Sequence, residues 1–120
     1  MKLLLVDDNE NMRRIMQDLF APYFSEIVEC SDGEEAVALY PSISPDWTVM
    51  DIQMKRMDGI EAAKIILSND INARIILISQ HTEEEIVAEA LRSGAVAFVR
   101  KDDLPTIIGI VESNMCLPEG

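Results

Sequence analysis

Five polar residues stand where apolar runs stop: Asp7 and Asp8 after the first run, Asp51 after another, Ser79 after a third, and Lys101 after a fourth. Three carboxylates in one cleft suit a hard divalent ion such as Mg²⁺, which takes oxygen ligands at about 2.0–2.1 Å and keeps several waters. A bound cation keeps Asp51 ionised beside Asp7 and Asp8, and an ionised carboxylate attacks phosphorus to give an aspartyl phosphate. Lys101 then pairs with phosphoryl oxygens, and the Ser79 hydroxyl donates a hydrogen bond to another. Two adjacent aspartates repel each other unless a cation or base sits between them. Capping the next helix requires only one of Asp8 and Asn9.

These residues are spread over about a hundred positions, so the elements between them must bring them together. Lys2 to Val6 reads as a continuous apolar strand. Met12, Ile15, Met16 and Leu19 follow at helical spacing, and Pro22 closes that helix. A second strand is expected at 26–30. Ser31-Asp32-Gly33-Glu34 then has capping-box spacing for a helix to about Tyr40, with Ala36, Val37 and Leu39 as its apolar contacts. Pro41 and Pro45 mark a loop. The run Trp47-Thr48-Val49-Met50 is a central strand that delivers Asp51 and turns at Asp58-Gly59. A helix through Ala62, Ala63, Ile65, Ile66 and Leu67 fades at 68–70, and a buried strand at 74–79 ends on Ser79. Thr82 and Glu85 have capping-box spacing for a helix with Ile86, Val87, Ala90 and Leu91 inward and Gly94 as its stop. Residues 97–100 form a short strand before Lys101, and a last helix is expected from Leu104 to Leu117. Strands apolar on both faces, alternating with helices, predict a parallel sheet covered on each side: a doubly wound, flavodoxin-like (βα)5 α/β sandwich. In such a sheet ligands gather at the carboxyl ends of the strands, where all five polar residues fall.

With 120 residues, 48% of them apolar, the expectation is a single domain over 1–120. The net charge of −12 disfavours contact with nucleic-acid phosphates or an anionic membrane face, while attracting divalent cations. No stretch of about 18 uncharged apolar residues suggests a membrane span, and Asp7-Asp8 interrupt the opening too soon for a signal peptide. Cys30 and Cys116 are therefore expected to be reduced thiols in a cytoplasmic protein.

The sequence resembles the receiver domain of two-component response regulators over essentially its whole length. Leu5-Val6-Asp7-Asp8-Asn9 is similar to that family's acidic opening. Met50-Asp51-Ile52-Gln53-Met54 and Met57-Asp58-Gly59-Ile60-Glu61 are similar to its phosphorylation motif, and Ile78-Ser79 and Phe98-Val99-Arg100-Lys101 to its switch hydroxyl, switch aromatic and lysine. The resemblance implies that Asp51 is the phosphoacceptor for a sensor histidine kinase or a small phosphodonor. It implies that Asp8, Asp51 and the backbone carbonyl of Gln53 hold Mg²⁺, with Asp7 reaching it directly or through water. Ser79 and Phe98 become a coupled switch. The domain catalyses only its own phosphorylation and dephosphorylation, and its fourth helix, fifth strand and fifth helix form a surface for self-association or an output partner.

Two positions depart from the family's pattern. Lys55 stands where proline is usual, which removes a fixed φ and adds a charge. Gln80 stands where a small residue is usual, and a larger side chain there restricts access to Asp51. A Mg²⁺-dependent phosphohydrolase is the alternative, but it wants an acid two residues after the nucleophile, where Gln53 stands. A flavin phosphate loop is disfavoured by Asp7-Asp8, and a never-phosphorylated receiver-like module by the complete acid, hydroxyl and lysine set. In the last helix Leu104, Ile107, Ile108, Val111 and Met115 form a core stripe. Ile110 and Leu117 fall on another side beside Gly109, which suggests that something packs close there and marks the interface.

Overall fold

The computed structural model describes residues 1–115. Five parallel strands, β1 (Lys2–Val6), β2 (Glu26–Cys30), β3 (Trp47–Asp51), β4 (Ile75–Ser79) and β5 (Ala97–Arg100), form one sheet of order β2-β1-β3-β4-β5. The helices are α1 (Glu10–Phe20), α2 (Gly33–Ile43), α3 (Gly59–Asn69), α4 (Glu84–Arg92) and α5 (Thr106–Met115). The expected doubly wound α/β sandwich is what forms. Successive residues of a strand face opposite sides, so each central strand feeds two cores. Leu4, Val6, Met50, Ile75 and Leu77 pack against α2, α3 and Ala90 of α4. Leu3, Leu5, Trp47, Val49, Ile76 and Ile78 pack against Met16 and Phe20 of α1 and Ile107 and Val111 of α5. β3 and β4 are buried at every position, which is why their sequences run apolar without alternation. Among the described residues no helix is long and apolar enough to cross a membrane.

Of the two residues that could cap α1, Asn9 is the one used, its side chain accepting from Met12 N at 3.0 Å. Several local expectations are corrected. The box at the start of α2 is shifted by one residue: Asp32 caps Glu35 N at 2.8 Å, and Glu35 reaches back to Ser31 N at 2.8 Å. Pro41 does not end α2. It lies in the last turn, where the lost N–H breaks a single bond, and the helix stops at Ser44 with φ +48°. Thr82 caps nothing, because α4 begins at Glu84 with Glu83 in the cap position and no side-chain hydrogen bond. Gly94 does follow α4, at φ +102°, the left-handed conformation that favours glycine after a helix. Ile15, Leu39 and Leu91 are exposed rather than inward. α5 starts at Thr106, after a 3-10 turn at Lys101–Asp103. Ile110 is half-buried and packs against the second core, and a Cβ on Gly109 would meet nothing within 4 Å. Close packing therefore does not explain that glycine. The side chain of Met115, and Cys116 and Leu117, lie outside what is described.

Candidate functional site

The strand order reverses direction between β1 and β3, and a cleft opens at their carboxyl ends. Asp7 follows β1 directly, Asp51 is the last residue of β3, Ser79 the last of β4, and Lys101 follows β5. The parallel register pairs Val6 with Met50, Asp51 with Ile78, and Ser79 with Arg100, so these side chains reach one edge of the sheet. Asp7, Asp8 and Asp51 each offer a carboxylate oxygen, all within 4.8 Å of one another. Asp7 and Asp51 are buried and Asp8 is exposed, so the cluster has an open side.

Lys101 Nζ lies 3.1 Å from both Asp7 Oδ2 and Asp51 Oδ2, but only the Asp51 contact has hydrogen-bond geometry. Asp7 Oδ2 is thus a fully buried carboxylate oxygen that is ion-paired to the Lys101 ammonium without a well-aligned hydrogen bond, while its Oδ1 accepts from Asn9 N at 2.9 Å. An oxygen in that condition fits a cation. Burial, and then the charge of Asp7, push the Asp51 carboxyl up to about 6, against the opposing effect of Lys101. Burial also works against the Lys101 charge, yet Asp51 and Asp7 outweigh it and hold the ammonium above its ordinary pKa. One lysine beside two buried carboxylates leaves the pocket short of positive charge. A divalent ion would supply it, and the all-oxygen donor set suits Mg²⁺.

The other expected residues fall around this centre. Ser79 is buried, and Phe98 is half-buried on the same face of the sheet, beside Leu77 in the register. Gln80 is exposed and, with Thr82, Arg100, Lys101 and Asp102, lines a cleft of about 340 Å³ beside Lys101. Lys55 lies in the β3–α3 loop, its carbonyl accepting from Met57 N at 2.8 Å across Arg56, whose φ is +67°.

Arg56 escaped the sequence reading. Its guanidinium grips Asp32 Oδ2 and also lies 3.6 Å from Glu34, tying the loop after Asp51 to the N-terminus of α2. The signal was present in Asp32-x-x-Glu35, which has capping-box spacing just as Ser31-x-x-Glu34 does. Only the tertiary structure chooses between the two frames. The Glu35 backbone N–H and then Arg56 hold the Asp32 carboxyl below its usual range, so its stabilising effect is present above the unfolded pKa and lost as pH falls through the folded value. Asp32→Ala is expected to cost about 1–2 kcal/mol at pH 7, the usual range for a lost cap. Urea unfolding across pH checks it, because the gap to wild type must narrow below roughly pH 4.

Three carboxylates, a hydroxyl and a lysine at the carboxyl edge of one sheet place this chain among doubly wound α/β domains with an acidic pocket. The chain is a member of the response regulator receiver domain family, which it matches over residues 3–112, and is a receiver domain of two-component signalling. It is 38% identical over 106 residues to the chemotaxis protein CheY of Thermotoga maritima, covering 88% of both chains. It is also 38% identical over 111 residues to the regulatory protein AtoC of Escherichia coli, covering 89% of this chain but only 24% of AtoC. Among solved structures it resembles one described as the CheX-CheY-BeF3-Mg+2 complex from Borrelia burgdorferi, with a TM-score of 0.85, 31% identity, and coverage of 98% of this chain and 90% of that one.

Proposed function

We propose that Asp51 is the phosphoacceptor of this receiver domain and that a sensor histidine kinase or a small phosphodonor supplies the phosphoryl group. An Asp51 carboxylate oxygen attacks phosphorus, the bond from phosphorus to the donor breaks, and the donor leaves with the electron pair. Asp8, Asp51 and the Gln53 main-chain carbonyl would hold Mg²⁺, with Asp7 reaching it directly or through water, and the ion when bound would offset the charge of the phosphoryl group. Lys101 pairs with one phosphoryl oxygen and Ser79 donates to another, while Phe98 couples that change to the surface. The observation that carries this reading is the close carboxylate cluster, with Lys101 ion-paired to both Asp7 and Asp51. The description of the Borrelia burgdorferi relative, which names both BeF3 and Mg²⁺, supports it. The test is intact mass after incubation with a small phosphodonor and Mg²⁺. One added phosphoryl group is expected, and an unchanged mass would sink the reading.

The output surface is assigned to α4, β5 and α5. Leu91 on α4 and Val96 just before β5 are exposed there, and Ile110 is half-buried on α5. Self-association or a partner's contact on that surface follows phosphorylation as a shift between two conformations. The domain modifies only itself, and the compartment is cytoplasmic.

Gln80 is assigned a gating role because it lines the cleft beside Lys101. Gln80→Ala is expected to speed both phosphorylation by small donors and loss of the phosphoryl group by roughly three- to tenfold, equivalent to about 1 kcal/mol in a barrier. Rapid-quench kinetics decide it. If neither rate moves, the side chain does not restrict the path.

A further inference from the structure

Gln53 makes two contacts that its place as a main-chain metal ligand does not explain. Its side-chain Oε1 accepts a hydrogen bond from Ser79 Oγ at 2.7 Å. Its backbone N–H points at Asp51 Oδ1, 3.3 Å away. Ser79 Oγ also accepts from His81 N at 2.9 Å, and the Ser79 side chain is fully buried at the end of β4. A serine hydroxyl carries one proton and two lone pairs. Here the proton is committed to Gln53, and one lone pair to the main chain of the β4–α4 loop.

That same proton is the one Ser79 has to offer a phosphoryl oxygen on Asp51. It serves one acceptor at a time. We propose that Gln53 is a positioning residue whose side-chain carbonyl latches the Ser79 hydroxyl in the unphosphorylated state, so that the switch engages only when this hydrogen bond breaks. The inference rests on the phosphoacceptor reading of Asp51 and adds to it a named competitor for the switch hydroxyl. The latch bridges the loop after β3 to the end of β4, so it biases the two-state equilibrium before any phosphoryl group arrives. A ligand that needs the minor state has its apparent Kd raised in inverse proportion to the fraction of protein in that state.

Gln53→Met tests this, because methionine keeps the length and the main-chain carbonyl and replaces a strong acceptor with a weak thioether. The measurement is titration of the full chain with beryllofluoride, a phosphoryl mimic, at saturating Mg²⁺. Losing one neutral hydrogen bond that opposes binding should tighten the apparent Kd by about three- to tenfold. Gln53→Ala should tighten it equally. In a Ser79→Ala background Gln53→Met should change nothing, a result that a merely structural effect of residue 53 would not give. Equal beryllofluoride affinities in wild type and Gln53→Met would overturn the latch alone. So would tightening by Ala but not Met, which would mean that bulk rather than hydrogen bonding matters, or a shift that persists without Ser79. Wild-type protein that binds no beryllofluoride would overturn the reading of Asp51 and the latch with it.

Discussion

Asp51→Asn is expected to abolish phosphoryl uptake, leave the fold intact and, without divalent ions, make the protein more stable than wild type at pH 7. The amide keeps the shape of the carboxylate and loses the nucleophile, so no acyl phosphate forms. Intact mass with a small phosphodonor and Mg²⁺ should show one added group in wild type and none in the variant; labelling retained at another residue would overturn the assignment. The stability effect follows from the folded pKa of about 6, against an ordinary value of 3.8. A carboxyl raised on folding favours the folded state while it is protonated, below its unfolded pKa, and that advantage is lost as pH rises through the folded value. In the metal-free wild type the loss runs from about pH 4 to about 6 and reaches on the order of 3 kcal/mol, at 1.36 kcal/mol per pH unit. Asparagine carries none of this charge, but the variant gives up the Asp51 contact of Lys101, and the expected net gain is about 1–2 kcal/mol at pH 7. Urea unfolding in a chelating buffer measures it. The difference should shrink towards pH 4, and Mg²⁺ should stabilise wild type far more than the variant.

Gly59→Ala is expected to destabilise the domain by about 3 kcal/mol or more, at the upper end of overpacking effects. Gly59 opens α3 directly beneath the strand end that carries Asp51, and its N–H donates to Ile52 O at 2.9 Å. A Cβ there would lie 2.2 Å from the Asp51 carbonyl oxygen and 3.0 Å from Ile52 Cα. These are main-chain atoms that no rotamer change moves aside, so either α3 lifts from the sheet or the end of β3 shifts. Both displace Asp51 from its neighbours, and Mg²⁺ binding should weaken along with stability. Gly109→Ala provides the contrast. A Cβ on Gly109 meets nothing within 4 Å inside α5, so alanine should stabilise by about 0.5–1 kcal/mol through helix propensity alone. Equal effects at the two glycines in urea denaturation would mean that the close approach beneath Asp51 is not what constrains residue 59.

The sequence by itself determined the alternation of five strands and five helices, the two-faced core and the convergence of Asp7, Asp8, Asp51, Ser79 and Lys101. Those features follow from periodicity and from strand ends, and neighbouring residues alone encode both. Boundaries that depend on which of several similar residues takes a cap were legible only in part. Ser31, Asp32 and Asn9 all have capping chemistry, and Thr82 has it without using it, because a cap is chosen by the angle at which the chain arrives. Exposure of Ile15, Leu39 and Leu91 was decided by which helix faces found a neighbour. The tertiary structure alone decided four contacts between side chains far apart in sequence: the grip of Arg56 on Asp32, the two ion pairs of Lys101 with Asp7 and Asp51, and the hydrogen bond from Ser79 to Gln53. Each joins residues at least 24 positions apart, and such pairings depend on distances of a few ångströms at the edge of the finished sheet, which no local pattern specifies.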